Sequence, residues 1–371
     1  MIVGFLAILL FITLFWTLGK TKLDYSLTKY VSLECLSIII PARNEEGTIE
    51  SLLTSIRAQS VQPLEVIVVN DHSNDRTKEI ALGYGVMVID NPTLPTDWLG
   101  KSWACWNGAK AAKGEYLLFL DADTWFEKDG ISKAMETYLS EENPSVLTIH
   151  PYHQMTHFYE KFSAIFQLII VASSGISHLF ANLIKTTGGF GQCMIVNRDL
   201  YFQIGGHKVI KHEVVENLSL VKHAASLGFS TKAISGFGIL SMRMYKEGIG
   251  SLFNGWGKSF AAGSKKGNLL LTILVVLWIS FLCTFLTNSI SLINNDSFIF
   301  LCTYIAISGL LFRTLIAIGN YTIVDAVLFP LHLLFFVTVY SYSFISTYLV
   351  KNASWKGRSI MVSKRKDDQT L

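Results

Sequence analysis

Between Lys266 and Lys351 the chain carries three charged side chains, Asp296, Arg313 and Asp325. A run this apolar has no place in a water-soluble domain and asks for a bilayer. It divides into residues 269–293, 298–318 and 324–350, each long enough to cross about 30 Å of hydrocarbon. Asn294, Asn295 and Asp296 predict a polar turn between the first two segments. Arg313 inside the middle segment argues for a re-entrant or interfacial helix there, so two or three spans stay open. At the other end, residues 1–19 are uncharged and Lys20 and Lys22 follow. With no basic n-region and no small-x-small site before Lys20, this segment reads as an uncleaved anchor rather than a signal peptide. The lysines that follow it predict an N-terminus outside and a polar middle inside the cell. A third C-terminal span would put the basic tail, Lys356 to Lys366, on the wrong side for that rule.

Composition agrees. Only 16% of residues are charged, against about a quarter in soluble globular chains. The net charge of +3 is too mild for binding nucleic acid by bulk attraction. Five cysteines (35, 105, 193, 283 and 302) without a C-x-x-C suit reduced thiols facing the cytoplasm, not a disulfide frame or a zinc site. The domain expectations are an anchor over 1–19, a linker over 20–35, a catalytic domain over 36–262, two to three spanning helices within 269–350, and a basic tail over 351–371. The location expected is the cell membrane, multi-pass, with a cytoplasmic catalytic domain.

The middle reads as α/β. Residues 36–40 (LSIII), 65–69 (EVIVV), 86–89 and 116–120 (YLLFL) are short β-branched or aromatic runs. Helical spacing fills 48–59, 77–83 and 101–113. Strands alternating with helices predict a parallel sheet with crossovers, covered on both faces. Ligands of such sheets bind beyond the carboxyl ends of the strands. There the chain reads Pro41-Ala42-Arg43-Asn44-Glu45-Glu46, Asn70-Asp71-His72-Ser73-Asn74-Asp75 and Asp121-Ala122-Asp123. Acidic groups converging on one edge repel one another unless a cation intervenes. Two carboxylates at i and i+2 can serve one divalent ion whose other ligands are phosphate oxygens. No Gly-rich phosphate loop is present, which disfavours dinucleotide and ATP sites.

SIIIPARNEE, VIVVNDHSND and LLFLDAD resemble, in order and spacing, the donor-site motifs of family 2 glycosyltransferases of the GT-A fold. Trp98-Leu99-Gly100-Lys101-Ser102-Trp103-Ala104 resembles the membrane-bound branch that glycosylates lipids. The run 188–193, Gly205-Gly206-His207, Glu216, Arg243-Met244-Tyr245 and Gly255-Trp256-Gly257-Lys258 extend the likeness over nearly the whole chain. The resemblance implies a UDP-sugar donor, Mg2+ or Mn2+, and an apolar lipid or carotenoid acceptor drawn from the membrane. A carotenoid acceptor leaves room for other enzymes of its pathway as partners. Pro41, Asn44 and Glu45 would line the uridine pocket and Asp71 would meet the uracil. Asp121 would face ribose and diphosphate and share the metal with Asp123. Lys101 is a candidate to add positive charge near the diphosphate, and Glu216 the candidate base.

Two departures stand out. His72 replaces the glycine of the usual Asp-Asp-Gly-Ser cluster, and reads as an exposed loop histidine rather than a ligand. Glu216-Asn217 replaces a Glu-Asp pair, so only Glu216 and the nearby Glu213 ionise there. The Q/R-x-x-R-W signature is reduced to Leu252-Phe253-Asn254-Gly255-Trp256. Residues 158–184 are apolar but contain Glu160, Lys161 and His178; an interfacial helix fits them better than a span. Trp103 and Trp106, three apart, are expected on one helix face, at least one of the tryptophans serving as core packing. The expected activity is transfer of glucose, with inversion, to a carotenoic acid carboxylate. The alternative is a hydroxyl of another membrane lipid, of hopanoid, ceramide or diacylglycerol type. A non-catalytic scaffold or transporter is disfavoured because both Asp121 and Asp123 are retained and the 36–260 block is long and polar.

Overall fold

The computed structural model describes residues 2–18, 33–140, 145–175, 177, 179, 189–213, 216–263, 268–348, 354–355 and 358–359. The lysines at 20 and 22, residues 20–32 of the expected linker, His178, Gly188 and most of the basic tail lie outside them. After the apolar helix α1 (Ile2–Phe15), strand and helix alternate: β1 (Leu36–Ala42), α2 (Ile49–Arg57), β2 (Glu65–Asn70), α3 (Thr77–Gly83), β3 (Met87–Asp90), α4 (Gly100–Ala111) and β4 (Tyr116–Leu120). Ile38, Ile39 and Ile40 are all fully buried, as successive residues of a strand covered on both faces must be. α2 turns Ile49, Leu52, Leu53 and Ile56 onto the sheet, the 3.6-residue stripe of a surface helix.

The second half is mixed. β5 (Thr124–Phe126), α5 (Gly130–Tyr138), β6 (Val146–His150) and β7 (Tyr152–His153) lead to a 3-10 turn over Phe158–Ser163 and α6 (Ala164–Ser174). Then come β8 (Cys193–Asn197), α7 (Arg198–Gln203), α8 (Gly206–Val209), α9 (Glu216–Ser226), β9 (Thr231–Ser235) and β10 (Leu240–Met242). One sheet has the order β3-β2-β1-β4-β8-β6-β9, and a smaller one β5-β10-β7. β1 is parallel to β2 and β4, whereas β8 is antiparallel to β4 and β6. The ends of β1, β2 and β4 therefore share an edge with the start of β8. There the Asp121 N–H donates to the Gln192 carbonyl at 2.9 Å. β5 begins right after Asp123 and pairs Thr124 with Met242, which pairs in turn with His153.

The apolar remainder comprises α10 (Ile249–Gly263), α11 (Leu269–Thr287), α12 (Ser289–Leu315), α13 (Ile323–Val327) and α14 (Phe329–Tyr348). α11 and α12 are long and apolar enough to cross a membrane. α1 packs on α11 through Phe11 and Phe15 against Trp278, ring centroids 5.6 and 5.5 Å apart. The polar break expected at 294–296 is a kink at Asp296, φ −161°, inside α12, and a further break at Asn288 separates α11 from α12. The Asp296 carboxylate accepts the Ile299 N–H at 3.1 Å and restarts the helix. Arg313 sits in the last turn of α12 and donates to the Leu18 carbonyl at 3.3 Å, so it marks an end rather than a re-entrant middle.

α14 takes another course. Phe335 stacks on Phe162 at 5.0 Å, Phe336 meets Phe166 at 5.0 Å, and Tyr342 meets Phe253 at 5.1 Å. Its length is thus spent along α6 and α10, which flank the catalytic domain, while Leu331, Leu334 and Phe344 stay exposed. The apolar run from 158 is broken as well: α6 ends at Gly175, whose φ of +75° stops the helix.

The two parts are clasped together. His153 N–H donates to Ile318 O at 2.9 Å and Asn320 N–H to His153 O at 3.1 Å. The Asn320 side chain holds both the N–H and the carbonyl of Met155, each at 2.9 Å. Adjacent residues Glu160 and Lys161 pair with opposite partners, Arg243 at 2.5 Å and Asp325 at 2.7 Å.

Candidate active site

Asp121 and Asp123 lie just beyond β4, and Lys101 projects from the first turn of α4. Lys101 Nζ is 2.7 Å from Asp121 Oδ1 and 2.6 Å from Glu216 Oε1. Glu216 opens α9 and is only 6% exposed; a carboxylate suits a helix N-terminus. Two of the expected catalytic residues, Lys101 and Glu216, thus meet Asp121 of the expected donor and metal site in one cluster, with Lys101 in a helix and not on a solvated turn. Burial favours the neutral form of Lys101, yet Asp121 and Glu216 hold its pKa well above the ordinary lysine value. Asp121 is pushed up to about 7 by burial, opposed by Lys101 and reinforced by Asp123 and Glu216. Tyr245, at φ +58°, stands close enough that burial and the Asp123 charge raise its phenol above the usual range. A Cβ at Gly255 would overlap the Tyr245 ring.

The nucleotide end is built by β1 and β2. Asp71 is 6% exposed; Asn91 Nδ2 donates to its Oδ1 at 2.8 Å, and Arg43 Nη1 lies 3.6 Å from its Oδ2. A Cβ at Gly100 would come within 2.7 Å of that Oδ2, so α4 begins against Asp71 only because residue 100 is glycine. Asn44, at φ +53°, accepts the Asn74 N–H at 2.9 Å, while its own N–H donates to Ser73 Oγ at 3.1 Å. Glu45 N–H donates to Thr77 Oγ1 at 2.7 Å, and its carboxylate accepts from Thr48 Oγ1 at 2.8 Å. Pro41 occupies the end of β1 opposite Val69. His72 is exposed and holds φ +55°: a histidine tolerates the left-handed conformation that glycine adopts freely.

Other residues emerge only from the structure. Asn107 donates to Asn91 at 2.9 Å, so a buried row Asn107–Asn91–Asp71 joins α4 to the end of β2. Asn91 directly follows β3, a fourth strand-end position with the same polarity signal. Trp98 packs on Trp103 at 4.8 Å, and Trp106 packs on Phe202 at 5.5 Å, the core role expected of at least one tryptophan. Trp256 stacks on Phe166 at 4.7 Å and donates to Ser163 Oγ at 3.0 Å, docking α10 on α6. Ser219 Oγ donates to Glu213 Oε2 at 3.5 Å.

Carboxylates thus gather at one edge of the sheet, beyond the ends of β2 and β4. Residues 37–214 match the model of glycosyl transferase family 2. The 4,4'-diaponeurosporenoate glycosyltransferase of Staphylococcus aureus (strain USA300) is 32% identical over 337 residues, covering 89% of each chain. That of strain MRSA252 is 32% identical over 336 residues, with the same coverage. Among solved structures, glucosyl-3-phosphoglycerate synthase from Mycobacterium tuberculosis aligns with a TM-score of 0.42 at 19% identity, over 62% of this chain and 79% of that one. The chain belongs to glycosyl transferase family 2, and it is a glycosyltransferase of the GT-A fold with apolar C-terminal helices.

Proposed function

We propose that the enzyme transfers glucose from UDP-glucose to the carboxylate of 4,4'-diaponeurosporenoate or a closely similar polyene acid, at the cytoplasmic face of the cell membrane. The relatives' name supports the acceptor. The observation that carries the reading is the state of the would-be base: Glu216 is held by Lys101 at 2.6 Å, and its neighbour is an amide, Asn217. An alcohol must lose a proton as it attacks, and a positioned base contributes about 10²–10⁴-fold. A carboxylic acid, ionised at neutral pH, needs orientation instead.

In this scheme one acceptor oxygen bonds to the anomeric carbon as the bond from that carbon to the diphosphate breaks, with inversion. Asp71, fixed by Asn91, lies in the nucleotide pocket with Pro41, Asn44 and Glu45. Lys101 balances Asp121 and stands near the departing diphosphate. Among the described residues no three metal-binding groups are clustered, so the protein's share of a cation site is Asp121 and Asp123. Two carboxylates completed by phosphate oxygens suit Mg2+ or Mn2+, and burial, reinforced by the charges of Asp123 and Glu216, raises Asp121 to about 7, a cost that a cation there would relieve. Such an ion supplies charge neutralisation to the leaving diphosphate.

Glu216→Gln should retain most transfer to the carotenoic acid while any slow transfer to the matching alcohol vanishes. Preference for the alcohol, with all activity lost in the variant, would identify a lipid-hydroxyl transferase instead. Asp71→Ala should raise the KM for the nucleotide sugar about tenfold, the scale of one lost charged hydrogen bond, with a smaller change in kcat. An unchanged donor KM would remove Asp71 from the pocket.

A further inference from the structure

We propose that Asn217 is a positioning residue whose side-chain amide must act as a donor, fixing the 189–192 segment against Asp121 and closing position 217 to a second carboxylate. The inference rests on the reading of Asp121 as part of the donor site, but not on the identity of the acceptor.

Asn217 is the second residue of α9 and is 2% exposed. Its Nδ2 donates to the Gly191 carbonyl at 2.6 Å. The next carbonyl, that of Gln192, accepts the Asp121 N–H at 2.9 Å. Two residues earlier, a Cβ at Gly189 would lie 2.7 Å from Val221 of the same helix, so the segment is seated on α9. The first two residues of α9 therefore hold Asp121 from two directions: Glu216 through Lys101, and Asn217 through this loop.

The other face of Asn217 meets His207, which is fully buried. His207 N–H donates to the Tyr201 oxygen at 3.1 Å, and that oxygen lies 2.8 Å from His207 Nδ1. Because the phenol oxygen already accepts one N–H, its own proton goes to Nδ1, and the imidazole proton is assigned to Nε2. Nε2 and Asn217 Oδ1 are both buried, and among the described residues neither has a partner within hydrogen-bond geometry. Burial pushes His207 down to about 4, so the ring is neutral at working pH. Among the described residues, the one hydrogen bond of the Asn217 side chain is the donation from Nδ2 to Gly191 O, so the side chain at 217 must be able to donate. An ionised aspartate has no donor and would face the Gly191 carbonyl with another oxygen.

The test compares Asn217→Asp and Asn217→Ala in membranes, over pH 6 to 8. The titratable groups around position 217 are His207, Glu216 with Lys101, and, across the loop, Asp121, which burial raises to about 7; all are present in wild type and in both variants, so each rate is read as a ratio to wild type at the same pH. Asn217→Asp should lose about 10²-fold in kcat at pH 8, the scale of a misplaced catalytic loop, with donor KM changed less. It should recover as pH falls, because a protonated carboxyl regains the donor to Gly191. Asn217→Ala should lose activity without that recovery. If Asn217→Asp is too unstable to assay at pH 8, its melting temperature relative to wild type should still climb as pH falls. A flat pH response of both rate and melting temperature overturns the proposal. So does an Asn217→Asp enzyme that works at or above the wild-type rate at pH 8, on acid or alcohol, since position 217 would then accept a base. Failure of the wild type to use a carotenoic acid would overturn the acceptor reading alone, because the melting arm needs no acceptor.

Discussion

Asp123→Ala is expected to lower the rate of transfer by on the order of 10³-fold or more while the protein still inserts and folds. Asp123 follows β4 in a short loop whose backbone is fixed without it: Asp121 N–H is held by Gln192, and Thr124 is paired with Met242. What the variant loses is the carboxylate that would share a cation with Asp121 and the leaving diphosphate. Each 1.36 kcal/mol of lost transition-state stabilisation is tenfold in rate, and a leaving-group cation supplies several. EDTA should reproduce the loss in the wild type, and added Mg2+ or Mn2+ should reverse it. Full activity in EDTA would show that Asp123 acts without a metal.

The second large effect belongs to Lys101→Met. Removing one partner from a buried charge cluster leaves the others without compensation and typically costs about 3–5 kcal/mol. Here a single ammonium serves two carboxylates, Asp121 and Glu216, at 2.7 and 2.6 Å. The variant should melt at a lower temperature and lose on the order of 10²-fold in kcat, the lower end of the range for one electrostatic group at a reacting centre. Adding Glu216→Gln should recover part of the melting temperature, because one of the two orphaned charges is then removed. A double variant no more stable than Lys101→Met would mean that the ammonium is not what holds Glu216 in place.

Much of this site was legible before any coordinates. The polar groups after β1, β2 and β4 could be read as one edge because each follows a short apolar run, and parallel strands put their ends together. Asp71, Asp121 and Asp123 stand out that way as candidates. The antiparallel strand β8 was not readable as a neighbour of β4, so the link from Asn217 through the loop to Asp121 stayed hidden. The sequence exposes Asn217 as a departure from a Glu-Asp pair; its donor role depends on Gly191, His207 and Tyr201, which meet it only in the folded chain. Lys101 follows a glycine and could equally have been a solvated turn residue, until α4 begins at Gly100 and aims it inward. In the apolar region the length of 269–350 allowed three spans. Where α14 lies is decided by aromatic contacts with Phe162, Phe166 and Phe253, partners that hydropathy does not see.

The clasp between His153 and the 318–320 turn fixes more than an interface. Backbone bonds to Ile318 and Asn320, together with the oppositely directed pairs of Glu160 and Lys161, fasten the small sheet to the end of α12 at several points. The same small sheet carries Thr124, one residue beyond Asp123. So many fasteners resist tilt and slide, and hold the candidate edge at a set distance from the α11–α12 pair. For an acceptor held in the apolar layer, as proposed above, the enzyme would then work as a depth gauge, selecting by how far the reactive end rises from that layer as much as by the chemistry of that end.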